Sequence, residues 1–192
     1  ARASFEEALK LRPGDPDANA NLGSVLLQLG QPAAAVPPLR KAMAQVGTPQ
    51  LRDQLGAALL GAGDTAAAVR EFRLLVREHP GNADARAHLA LALDHSGDFA
   101  AATAAYDEAL RLAPDHFDAA ANRAALMARL GRLGEARQAF EDLARRAPES
   151  AVVHANLGAV HRDMGELQAA LASLRRALKL NPGLADTHLT LA

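Results

Sequence analysis

Glycines recur at Gly30, Gly63, Gly97, Gly131 and Gly165, separated by 33, 34, 34 and 34 residues. Prolines at Pro80, Pro114, Pro148 and Pro182 keep the same step, and Pro13 stands two steps before Pro80. A fixed period of this length means one supersecondary unit copied along the chain. Ala35, Ala68, Ala102, Ala136 and Ala170 each follow a glycine by five residues, and a large apolar residue comes four later: Leu39, Phe72, Tyr106, Phe140, Leu174. Eight residues before each glycine except Gly131 stands a leucine (Leu22, Leu55, Leu89, Leu157), followed by a small residue (Gly23, Gly56, Ala90, Gly158).

The copy at 151–184 shows what the unit is. Leu157, Val160 and Met164 recur at three- and four-residue steps and share one helix face. Leu167, Ala170, Leu171, Leu174, Ala177 and Leu178 do the same in a second helix. Gly165 between them can take the left-handed conformation that ends a helix, and Pro182 stops the second helix because it lacks an N–H. One such hairpin cannot bury both apolar faces alone, so the copies must stack.

Composition agrees. Hydrophobic residues make up 49% of the chain, yet aromatics are 3% and Trp is absent, so much of the apolar content is Ala. That suits close helix packing better than a sheet core. No run reaches the roughly 18–20 uninterrupted apolar residues of a membrane span. A net charge of −1 gives no global attraction to nucleic acid or to an anionic membrane. Without Cys there is no disulfide framework, and reducing and oxidising compartments both stay open. The first residues, with two acids where an apolar run should be, are no signal peptide. The expectation is a soluble chain, with the cytoplasm favoured.

The 34-residue period, the paired helices, the small residues at the crossings and the closing Pro together resemble the tetratricopeptide repeat. The resemblance covers essentially the whole chain and implies an all-α, right-handed α-solenoid. In this frame residues 1–15 are the second helix of an earlier repeat, full repeats are 16–48, 49–82, 83–116, 117–150 and 151–184, and 185–192 begins another. A chain that starts and ends inside repeats is expected to be a piece of a longer protein. Its ends should expose Leu9, Leu11, Leu189 and Leu191 and invite stacking of one copy on another. The repeat 16–48 is one residue short and carries Pro37 and Pro38 inside its second helix, which should kink or start late near Pro37. In 117–150, Arg123 replaces the usual Leu, a change its long aliphatic stem can tolerate.

No catalytic, cofactor or metal site is expected. Gly61-Ala62-Gly63-Asp64-Thr65-Ala66 imitates a dinucleotide fingerprint but lacks the preceding strand that motif needs. His88 and His95, like His154 and His161, lie seven apart, about 10.5 Å along a helix, too far to share one ion. By the resemblance, His154 and His161 occupy places of packing aromatics, and His88 lines a groove. There is no thiol and no nucleophile motif. Arg145-Arg146 and Arg175-Arg176 read as a solvated face, and the stacking platforms of a nucleic-acid binder are missing.

The resemblance implies that first helices line an inner groove with their second, sixth and ninth places. The sixth place reads Asn21, Gln54, His88, Asn122, Asn156, side chains that both donate and accept hydrogen bonds. The second includes Asp17, Asp84 and Asp118, and the ninth is mostly small. An extended ligand should lie with its basic part near Asp84 and Asp94 and its acidic part near Arg162. Polar residues on a helix surface need no special role, and an Asp near a helix start can serve as a cap. Three functions follow as expectations. The first is a non-catalytic module binding an extended peptide or partner segment. The second is a substrate-selecting arm of a modifying enzyme, of glycosyltransferase or sulfotransferase type. The third is a self-assembly element. The family's two-carboxylate clamp for chaperone EEVD tails is not matched, because Lys10, Lys41 and Lys179 all fall in second helices.

Overall fold

The computed structural model describes residues 2–184, which form eleven helices and no strand. In order these are α1 (Arg2–Leu11), α2 (Pro16–Gln28), α3 (Pro32–Val46), α4 (Pro49–Gly61), α5 (Thr65–Glu78), α6 (Ala83–His95), α7 (Phe99–Leu112), α8 (Phe117–Arg129), α9 (Leu133–Arg146), α10 (Ala151–Asp163) and α11 (Leu167–Leu180). The chain is all-α, of the solenoid class. It divides between Leu112 and Ala113 into two compact units. In the first, α1 leads into the hairpins α2/α3, α4/α5 and α6/α7, and α3 packs on α4 as α5 does on α6. In the second, the hairpins α8/α9 and α10/α11 stack through α9 and α10.

The turns inside the hairpins are copies of one another. Gly30, Gly63, Gly97, Gly131 and Gly165 all have φ between 68° and 85°. The next residue's N–H closes each turn on a carbonyl five residues back: Gln31 to Leu26, Asp64 to Leu59, Asp98 to Leu93, Arg132 to Met127 and Glu166 to His161. This is the Schellman closure, which satisfies a helix-end carbonyl that would otherwise be orphaned. The turns between hairpins are copies too. Side chains of Asp15, Thr48, Asn82, His116 and Ser150 each accept a hydrogen bond from the N–H three residues on and cap a first helix.

The core follows the period. Ala35, Ala68, Ala102, Ala136 and Ala170 are buried, as are Leu39, Phe72, Tyr106, Phe140 and Leu174. The small residues are small for a reason. A Cβ on Gly56 would sit 2.6 Å from the Phe72 ring, and one on Gly158 would sit 2.6 Å from Leu174 Cγ. Arg123 is half-buried.

Of the two alternatives for the proline-bearing helix, the late start needs correction. α3 does not start near Pro37. It starts at Pro32 and runs through Pro37 and Pro38 to Val46. Pro32 occupies the first helical position, where its fixed φ and missing N–H suit the helix. The carbonyls that lose a donor belong to Ala33 and Ala34, both exposed, so water can replace the missing bonds. Buried Pro38 and Leu39 then hold the helix against its neighbours.

At the amino end Leu11 is 85% exposed, whereas Leu9 is half-buried. Leu189 and Leu191 lie outside the described residues.

Candidate functional site

Capping in first helices falls to the residue before each helix. That leaves Asp17, Asp84 and Asp118 exposed in the first turns, where they complement the helix dipole. The second, sixth and ninth places then line cavities. In the first unit, a cavity of about 340 Å³ between α4 and α6 is walled by Gln50, Asp53, Gln54, Asn82 and Asp84. A second, of about 360 Å³, lies toward the other end of the same two helices and is lined by Ala57, Phe72, His88, Leu91 and His95. In the second unit two cavities of about 300 Å³ each lie along α8 and α10. One takes in Phe117, Asp118, Ala121, Asn122 and Val152, the other Ala128, Arg129, Phe140, Ala159 and Asp163, and both touch Ala125 and Asn156. Asn21 is exposed on α2 and lines none of these.

The five sixth-place side chains are not chemically equivalent. Asn21, Gln54, Asn122 and Asn156 make no side-chain hydrogen bond to any described residue. His88 is engaged: its Nδ1 lies 2.6 Å from Asp53 Oδ1, and its ring sits 5.5 Å from that of Phe72. Asp53 walls one cavity and His88 the other, so this bonded pair stands between them. Sequence reasoning missed Asp53. It stands at the fifth place of its repeat and meets the sixth place of the next, 35 residues on, whereas the other fifth places are all Ala.

Charge around the cavities is also more constrained than the sequence suggests. Asp94 is 8% exposed, so Asp84 is the exposed carboxylate of α6. Arg162 is exposed but pairs with Asp163 next to it, at 2.8 Å. His161 is a packing residue, 9% exposed, with Nδ1 2.6 Å from Glu166 Oε2. Glu166 also accepts from Arg137 at 2.9 Å. The hydrogen bond to His161, with help from the Arg137 guanidinium, holds the Glu166 carboxyl below the usual carboxylate range. His154 has a different task. Its Nε2 pairs with the carbonyl of Pro148, just as Asn19 and Arg86 donate to the carbonyls of Pro13 and Pro80. These fourth-place side chains tie down the loops between repeats, which explains why Asn19 is polar yet 2% exposed. Among the described residues no group of three His, Cys, Asp or Glu could hold a metal ion, and no helix is long and apolar enough to cross a membrane.

Family comparison places this architecture. Three models described as tetratricopeptide repeat match the chain: one over residues 1–47 and 54–117, a second over 95–159, a third over 151–184. No curated protein matches. Solved structures with the same fold include a thermophilic TPR protein of Thermus thermophilus, with 21% identity, a TM-score of 0.78, and coverage of 91% of this chain and 95% of that one. A tetratricopeptide repeat protein from Parabacteroides merdae reaches a TM-score of 0.85 at 17% identity, over 100% of this chain and 76% of its own. YrrB, described as a TPR protein with an unusual peptide-binding site, has a TM-score of 0.67 at 19% identity over 100% of both chains. The chain belongs to the tetratricopeptide repeat family, whose fold is in general a protein-interaction module.

Proposed function

We propose that this chain is a non-catalytic module that holds an extended peptide or partner segment against its first helices. The observation that carries this reading is the set of uncommitted amides. Gln54, Asn122 and Asn156 line cavities, have no partner inside the protein, and each offers a donor and an acceptor. An extended backbone presents a C=O and an N–H at every residue, which is the complementary pattern. In the second unit Asn122 and Asn156 stand among Ala, Val and Phe, which leave room for apolar side chains, with Asp118, Ser150, Arg129 and Asp163 also in the walls. In the first unit Asp84 and Asp53 bias the cavity toward a basic residue. Protein and peptide, not nucleic acid, are therefore the partners of this surface. The peptide-binding site in the description of YrrB fits the same reading.

The test selects ligands from a displayed library of random peptides and measures them by fluorescence anisotropy. Two lost hydrogen bonds, each worth roughly 0.5–1.5 kcal/mol net, should make Asn122→Ala/Asn156→Ala bind about tenfold more weakly, with its melting temperature unchanged. Undiminished binding in a double variant that melts earlier would assign both asparagines to the scaffold and overturn the reading.

A further inference from the structure

The outer face of α3 and α5 carries cations that no acid answers. Arg70, Arg73 and Arg77 fall at i, i+3 and i+7 on α5, a single stripe about 10.5 Å long, and all three are exposed. None forms an ion pair or hydrogen bond with any described residue. Arg40 and Lys41 on α3 are likewise exposed and unpaired. Arg40 follows buried Leu39 as Arg73 follows buried Phe72, so the repeat places both on the outer side. α3 contains no acid, and the two acids of α5, Glu71 and Glu78, turn toward Arg52 of α4.

Elsewhere most arginines are matched, Arg175 of α11 being an exposed exception. Arg111 pairs with Glu108, Arg132 with Glu135, Arg137 with Glu166 and Arg176 with Glu149. On α5 three arginines, three and four residues apart, repel one another with no compensation, an arrangement that weakens a helix. A second observation sits at the same place. Arg70, Arg73, Leu74 and Arg77 frame a recess of about 320 Å³ whose walls are mostly apolar, made by Leu74 and the arginine stems.

We propose that this face docks an acidic amphipathic helix of a protein partner, with carboxylates on the three guanidiniums and an apolar side chain in the recess over Leu74. Guanidinium and carboxylate match in geometry as well as charge. A nucleic acid fits less well: the aromatic of this face, Phe72, is 1% exposed and offers no base a platform. A simple oxyanion uses the guanidiniums and leaves the recess empty. The surface lies on second helices, so it is separate from the groove proposed above.

The probe is a labelled helical peptide with Glu at i, i+3 and i+7 and Leu at i+4, followed by anisotropy at low and high salt. Controls are the same composition in permuted order, the peptide with that Leu changed to Ala, polyuridylate, and phosphatidylserine vesicles. The patterned peptide should bind the protein. Arg73→Glu/Arg77→Glu should weaken it at least about tenfold, and the peptide's Leu-to-Ala change should weaken it about fivefold. Asn122→Ala/Asn156→Ala should leave it unchanged. Should charge reversal disturb folding, Arg73→Gln/Arg77→Gln gives the same direction with a smaller loss. No binding of the patterned peptide, equal binding of the permuted one, or tighter binding of RNA or vesicles would each overturn the proposal.

Discussion

His88 and Asp53 hold α6 to α4: Nδ1 and Oδ1 lie 2.6 Å apart, between the two cavities of the first unit. Both side chains are partly exposed, so water weakens the bond between them. A double-mutant cycle on Asp53→Ala and His88→Ala, followed by urea denaturation, should return a coupling of about 0.2–1 kcal/mol. A cycle that closes at zero would mean the two helices are held by packing alone.

Two glycine substitutions should move stability in opposite directions. Gly56→Ala drives a methyl to 2.6 Å from a ring carbon of Phe72, which is too enclosed to swing away, and should cost about 1–3 kcal/mol. Gly134, in the first turn of α9, has nothing within 4 Å of the added methyl, and Gly134→Ala should gain about 0.5–1 kcal/mol. Chemical denaturation of the two variants beside the parent decides both.

Pro37→Ala should stabilise the protein. The substitution restores a donor to the carbonyl of Ala33 and removes a helix-interior proline while giving up little packing, because Pro37 is exposed. A gain of about 1–3 kcal/mol is expected. Pro38→Ala should gain less, since Pro38 is buried and its ring is part of the packing. Thermal melts that rank Pro38→Ala above Pro37→Ala would refute this account of α3.

Acid should remove the contribution of Glu166. Its carboxyl titrates below the usual range in the folded state, so the unfolded chain takes up the proton first. The stabilisation is therefore complete above the unfolded value of about 4 and fades as pH falls through the lower folded value. Glu166→Gln should melt earlier than the parent at neutral pH, and the two melting curves should converge on acidification. A gap that stays constant from neutral to acid pH would show that this carboxylate acts through shape and not charge.

What the sequence made legible was whatever repeats. The turn glycines, the alanines after them and the bulky residues that face Gly23, Gly56 and Gly158 are all local or one helix away, and their period exposes them. What stayed hidden breaks the period. Asp53 has no acidic counterpart in the other repeats, so its bond to His88 left no recurring trace. Whether α3 runs through its two prolines or starts after them was also left open, because the cost of a proline depends on whether the orphaned carbonyl meets water, which only the folded surface decides. The fourth-place side chains looked unrelated as Asn19, Arg86 and His154. They share a partner rather than a residue type.

The closed turns have one more consequence. A block running from just past the close of one turn to the close of the next, such as 65–98, contains complete within itself a Schellman closure and the cap of a first helix. Duplicating such a block in frame would strand no backbone donor, and the new copy would present its neighbours with the surfaces they already accept. Array length is thus a free variable for this sequence, open to unequal recombination or to a designer, while the details inside a block are not.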